Sequence, residues 1–160
     1  MSSDFFVKLT NSIEGESKKK GHEKEVDILS WSWGVSNASG TGSGGGGGHG
    51  KANPHDLSFT HIFDKASPNL SKSCITGTHI NELKLTARKS GDGQQDYLTI
   101  TLTTAFITGT AIGGSANGDV VETVTCSFKK IKIEYKFQDE KGALKAGSEL
   151  TWSVEEDSVT

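Results

Sequence analysis

From Gly45 to Lys51 the chain reads GGGGHGK, all but the last residue of the loop that cradles nucleotide phosphates. That chemistry needs backbone N–H groups wrapped around the phosphates, a lysine at the outer phosphates and a Ser or Thr hydroxyl on Mg²⁺, all ahead of a helix N-terminus. Ala52 stands where the hydroxyl is required, and the Asn53-Pro54 step pushes the backbone toward extended geometry instead of a helix. The stretch therefore reads as a long loop, because glycine gives backbone freedom and no side chain to bury.

Other reactive residue types are present without the spacing their chemistry needs. His22-Glu23 opens like a zinc-protease helix, but the second histidine falls at Val26, inside a strand pattern. His49, His55 and His61 lie near Asp56 and Asp64, yet no third ligand is legible, nor the groups that would orient a ligand set. They read as surface or hydrogen-bonding histidines. Gly40 to Gly44 is GTGSG, with Gly42 where a hydrolase elbow carries its nucleophile. Glu155, Glu156 and Asp157 crowd the end of the chain as a solvated tail rather than a carboxylate pair at catalytic spacing. No catalytic residue, no metal site and no cofactor is expected, and the chain is not read as an enzyme.

The elements that carry these residues are strands. Phe5, Val7 and Leu9 alternate on one face, and VDILSWSWGV places Leu29, Trp31, Trp33 and Val35 opposite Ser30 and Ser32. Leu83, Leu85 and Ala87 alternate with Lys84, Thr86 and Arg88. YLTITLTTAF groups Leu98, Ile100, Leu102 and Phe106 against Tyr97, Thr99, Thr101 and Thr103, a hydroxyl-rich face suited to water or to another protein. Within Val120 to Phe137 the parity changes: Val124, Cys126 and Phe128 share one side, Ile131, Ile133, Tyr135 and Phe137 the other. One extra residue near Lys129 restores the facing, so a β-bulge or tight turn is expected there. SPNLSKSCITG reads as the single helix, with Ser67 as N-cap, Pro68 at the first position and Gly77 as the left-handed stop. Turn residues at Ser90 to Gln94, Gly113 to Asp119 and Asp139 to Gly142 separate the strands. The fold class is mainly β: an antiparallel two-sheet β-barrel with one short flanking α-helix.

A chain of 160 residues fits one domain, read as residues 1–160 with a glycine-rich loop at about 36–53. A formal net charge of -3 argues against nucleic acid and anionic membranes as partners, and Lys18 to Lys20 with Lys130, Lys132 and Lys136 read as wet surface and edge protection. The apolar run Phe5 to Val7 is too short for a signal peptide, and no segment has the length of a membrane span, so a cytoplasmic protein with no membrane insertion is expected. In that compartment Cys74 and Cys126 read as two buried thiols and the sequons at Asn37 and Asn69 as chance matches.

Several stretches in order resemble the hemolysin-coregulated protein (Hcp) family of bacterial type VI secretion. They are IEGES at 13–17, HEKEVDILSWSWG at 22–34, GGGGGHGKANPHDLSFT at 44–60, DKASPNL at 64–70, LKLTARKSG at 83–91, YLTITL at 97–102 and GGSANGD at 113–119. Each is modest alone; the ordered set is specific. The resemblance implies a homo-hexameric ring with a wide channel, stacking of rings into an inner tube inside contractile sheath proteins, a VgrG spike at the tip, and effector proteins carried in the lumen. It also implies a protein that is cytoplasmic before firing and then secreted without a signal peptide. On that implication the loop residues Gly44, Gly45, Gly46, Gly47, Gly48, His49 and Lys51 reach toward neighbouring rings, and Ser30, Ser32, Thr99 and Thr101 face the lumen and its effectors. The competing class is a monomeric β-sandwich binding module, for instance for carbohydrate, in which the Trp31-Ser32-Trp33 segment is a stacking platform.

Overall fold

The computed structural model describes residues 2–38, 52–91 and 94–160. In chain order the elements are β1 (Ser3–Leu9), β2 (Val26–Ile28), β3 (Ser30–Ser32), β4 (Val35–Asn37), β5 (Ala52–Pro54), β6 (Leu57–Ile62), α1 (Ser67–Thr76), β7 (Ile80–Lys89), β8 (Asp96–Gly113), β9 (Val121–Gln138), β10 (Leu144–Ser153) and β11 (Ser158–Val159). Among the described residues the fold is mainly β, with antiparallel pairing throughout and one short helix. The main path runs β11-β10-β9-β8-β7-β1-β2; β6 joins the first half of β9, β3 pairs with β6, and β4 and β5 form a separate ribbon. The sheet curls round its core without a closed ladder among the described residues.

The two longest strands do most of the shaping. On β9, Val124, Cys126 and Phe128 are buried, and then Ile131, so the facing changes at Lys129 as the sequence requires. No bulge or turn interrupts the pairing: Thr103↔Lys130 and Ala105↔Phe128 keep one register. Instead β8 changes face at the same level, from Ile100 and Leu102 to Ala105 and Ile107, with Thr104 at φ 52. Two strands that flip together preserve their ladder, whereas a bulge in one shifts it. At this level β9 also exchanges partners, from β6 (up to Cys126↔Leu57) to β10 (from Lys130↔Ser153). A true irregularity sits further along β8, between Ile107 and Gly109.

Three other expectations change. Leu29 is 55% exposed and Val35 50%, while Val26 and Ile28 are buried. The run breaks at Leu29, whose N–H donates to Thr60 O at 2.8 Å; β2 before it pairs with β1 and β3 after it with β6, and the facing slips by one. Phe6 is fully buried although Phe5 and Val7 face the other way, because residues 15–25 fold over it and stack His22 on its ring at 4.2 Å. Ser67 is the first helical residue rather than the cap; its hydroxyl accepts from Asp64 N–H at 3.1 Å, and Asp64 Oδ1 accepts from Ala66 N–H at 2.9 Å. Pro68 is therefore the second helical residue, one place later than expected, while Gly77 closes the helix at φ 70 as expected.

The segment taken as loop 36–53 begins and ends in strand, since Ser36↔Asn53 and Asn37↔Ala52 are paired. The phosphate-loop-like stretch, with Gly44 to Lys51, lies outside the described residues.

The core is one cluster drawn from both layers, with Leu83, Leu85, Leu102 and Ile131 fully buried and Leu70 bringing the helix onto it. Each such side chain contributes about 1.5–3 kcal/mol relative to exposure. Leu102→Ala is expected to cost about 2–5 kcal/mol in urea unfolding. Ile75→Ala, at a site 84% exposed, is expected to stay within about 0.5 kcal/mol.

Candidate functional site

The outer face of β3, β6, the first half of β9 and the second half of β8 carries an ordered set of small side chains. Ser30 aligns with Thr60, Thr60 with Thr123 and Thr123 with Ala111. Ser32 aligns with Ser58, Ser58 with Thr125 and Thr125 with Gly109. These two rows contain hydroxyls, a methyl and a glycine, and no charge. Next to them lies a third, apolar row, Ile62↔Val121↔Gly113.

The facing of this grid follows from what lies beneath it. Leu57, Phe59, Val124, Cys126 and Ile107 are the alternate residues of the same strands and are buried, so period two sends the Ser and Thr side chains outward. Trp31 and Trp33 are half-buried against the core, Trp31 edge-on to Phe5 at 6.1 Å and Trp33 tilted on Phe128 at 6.3 Å. Ser30 and Ser32 are exposed. The hydroxyls also bond along the grid. Thr60 and Thr123 Oγ1 atoms are 3.1 Å apart. Thr108, the extra residue of the β8 irregularity, donates to Asp56 Oδ2 at 2.6 Å and lies 3.1 Å from Thr125 Oγ1. Gly109 makes this possible, because a Cβ there would stand 2.9 Å from Thr125 Oγ1.

Thr99 and Thr101 are not part of this grid. They sit on the first half of β8, where Thr101 aligns with Lys84 and Lys132 and Thr99 with Thr86 and Glu134. Lys132 and Glu134 pair there at 3.7 Å. The strand's alternation fixes which way a residue points; which neighbours surround it depends on the flip at Thr104. Ser58, Thr60, Thr123 and Thr125 were missed in the sequence, although LSFTHI and VETVTC alternate as plainly as the serines do.

One buried polar pair lies under the grid. His61 and Glu122 are cross-strand partners, both fully buried, with His61 Nε2 2.7 Å from Glu122 Oε1. A polar pair this deep persists because each group answers the other. Beside it Asp64 is held above the usual carboxylate range, first by burial and also by Glu16 and Glu122, against the opposing pull of the Ala66 N–H and His61.

The remaining candidates resolve into structure. His55 bonds Ser36 at 3.1 Å. His22 lies between Glu25 at 3.0 Å and Asp96 at 2.9 Å, and Arg88 stands over the Phe6 ring at 5.1 Å. Among the described residues no group of three or more His, Cys, Asp or Glu could hold a metal ion. Cys74 and Cys126 are free; Cys126 is buried, Cys74 only half-buried. Burial, with the charge of Asp56 nearby, pushes the Cys126 thiol up to about 12. Among the described residues no helix is long and apolar enough to cross a membrane.

Residues 6–135 match the family model described as the type VI secretion system effector Hcp. The chain belongs to the Hcp family. It is 46% identical over 157 residues to protein hcp1 of Pseudomonas aeruginosa, covering 96% of each chain. Among solved structures it is similar to Hcp1 from Salmonella typhimurium, with a TM-score of 0.81 and 31% identity over the whole of both chains. A structure described as a type six secretion system protein has a TM-score of 0.92 at 24% identity, covering 99% of this chain and all of that one, and so shares the fold.

Two predictions follow the buried groups. A carboxyl held above its unfolded value binds its proton more tightly in the native state, so its contribution favours folding in acid and fades as pH rises through the native value. Asp64→Asn, whose amide oxygen can still accept from Ala66, is therefore expected to gain melting temperature relative to the unmodified chain between pH 3 and pH 7, read by calorimetry at both. With iodoacetamide at neutral pH, Cys74 is expected to react in the native protein and Cys126 only after unfolding, read by mass spectrometry of digests.

Proposed function

We propose that this chain is the tube subunit of a type VI secretion system: six copies close a ring, rings stack into the inner tube, and effector proteins ride in the channel. Residues 1–160 act as one Hcp-like domain. Family membership supports the system; the uncharged hydroxyl grid is the observation that carries the role. A channel must take varied cargo and release it. Small hydroxyls wet the wall and offer single, exchangeable hydrogen bonds, whereas an apolar wall would bind any exposed hydrophobic patch and a charged wall would select by sign.

On this reading Ser30 and Ser32 face the channel with Ser58, Thr60, Thr123 and Thr125, and Thr99 and Thr101 line its charged continuation. The loop residues Gly44 to Gly48, His49 and Lys51 are the part that meets the neighbouring ring. The partners are further copies of the chain, the VgrG spike, the contractile sheath and the cargo. The chain performs no catalysis; it waits in the cytoplasm and leaves the cell with the fired tube. A carbohydrate-binding module is the weaker reading, since Trp31 and Trp33 pack on the core instead of standing free to stack on a sugar.

Electron microscopy of the purified protein is expected to give six-fold rings; single subunits would contradict the proposal. Ser32→Gln adds bulk to the wall without touching the core. It is expected to leave ring mass unchanged in native mass spectrometry and to lower effector co-purification at least severalfold.

A further inference from the structure

The GGSANGD turn between β8 and β9 carries one bond with chemistry of its own, between Asn117 and Gly118. Asparagine is among the chemically labile residues, because its side-chain amide is an electrophile within reach of the backbone nitrogen that follows it. Attack needs that nitrogen to be unshielded, released from hydrogen bonding and free to swing toward the side chain. The chain holds six asparagines, and only Asn117 precedes a glycine.

The other five are held out of reaction. Asn53 precedes Pro54, which has no N–H to give up. Asn69 lies in α1, where the Leu70 N–H donates to Ala66 O at 3.0 Å. Asn81 lies in β7; the Glu82 N–H after it donates to Thr10 Oγ1 at 3.0 Å, and its own amide oxygen is 3.1 Å from His79 Nε2. Asn11 donates its amide to His79 O at 2.9 Å, and Asn37 is tied into β4 opposite Ala52. Ser12 and Ala38, which follow those two, also carry the Cβ that Gly118 lacks.

Asn117 is the opposite case. Residues 111–120 are exposed throughout, and the turn stands past the last pair of the β8–β9 ladder, Gly113↔Val121. One contact holds the reacting nitrogen: the Gly118 N–H donates to Ser115 O at 3.1 Å, closing a four-residue turn. No residue of the turn belongs to the core cluster, so it opens at the low end of the free energies available to a folded chain.

We propose that Asn117 is a site of spontaneous modification, at which the chain converts its own amide to a carboxylate with water as co-reactant. The Gly118 nitrogen loses its proton to solvent base and bonds to Asn117 Cγ. The Cγ–Nδ2 bond breaks, and Nδ2 leaves as ammonia with a proton from solvent. Water then opens the resulting succinimide. Cleavage of the new N–Cγ bond gives aspartate; cleavage between that nitrogen and the Asn117 carbonyl carbon gives isoaspartate, with the main chain running through Cβ and Cγ. Nothing is oxidised or reduced: one water enters and one ammonia leaves. Either product places a carboxylate two residues before Asp119, beyond the apolar row that borders the hydroxyl grid. The site rests on the turn and not on the tube.

Ageing the purified protein in warm, mildly alkaline buffer, followed by mass spectrometry of digests, tests the site. The peptide holding Asn117 is expected to convert first, with aspartate and isoaspartate both present on fragmentation. Opening one exposed hydrogen bond makes the native chain roughly two- to tenfold slower than a short unfolded peptide of the same sequence. Gly118→Ala adds a methyl that meets only the Ser115 hydroxyl, at 3.0 Å, and is expected to slow conversion at least severalfold. Circular dichroism checks the fold of that variant, and the unmodified chain tests the selectivity by itself. Conversion first at another asparagine, aspartate without isoaspartate, a native chain that stays unchanged while the peptide reacts, or an equal rate in a folded Gly118→Ala overturns the site.

Discussion

The structure depends on a simultaneous change of face in β8 and β9. Each strand is 18 residues long, which at about 3.3 Å per residue is roughly 60 Å, longer than one core layer needs. A strand of that length with uniform alternation would present one apolar face throughout and belong to one layer. By turning over together at Thr104 and Lys129, the pair stays hydrogen-bonded and presents apolar residues to the core on both halves. At the same level β9 leaves β6 for β10. The second half of β8 and the first half of β9 then belong to the layer with the hydroxyl grid, and the other two halves to the layer with the charged outer face.

This arrangement explains why the grid is uncharged while the same strands carry lysines a few residues away. Lys130 and Lys132 lie beyond the flip, beside β10, and Thr123 and Thr125 lie before it, beside β6. The buried His61 and Glu122 stand opposite each other at the far end of the β6–β9 ladder, one pair in from Ile62↔Val121. There, a pair of fully buried ionisable groups tied at 2.7 Å fixes the register of the two strands, since a slip would leave both without a partner. The grid above is thus held by an apolar layer and one polar lock below it.

Period-two alternation made most of this legible in the sequence, and the ordered motifs named the family. The parity change at Lys129 was legible too, but a bulge and a matched flip leave the same trace in a single strand. Only the partner's behaviour separates them. That Ser30 and Ser32 face outward was legible because tryptophans flank them and must pack. Thr99 and Thr101 point outward as read, yet their surroundings come from β7 and β9, residues far away in sequence, so alternation alone could not place them beside the serines. Phe6 was missed because its cover comes from residues 15–25, and Ser67 because its hydroxyl oxygen accepts from the Asp64 N–H and not from an N–H of the helix. His61 and Glu122 carried no signal at all: a polar residue that breaks no pattern reads as surface until its partner is seen.

A side-chain-resolved density map of the assembled protein tests the account most directly. The account predicts that Ser30, Ser32, Ser58, Thr60, Thr123 and Thr125 line the central channel in every subunit, with Trp31 and Phe59 behind them in the core. If the map puts those hydroxyls on the outer wall of the ring, or shuts them inside a contact between subunits, the grid is not a channel lining and the account is wrong.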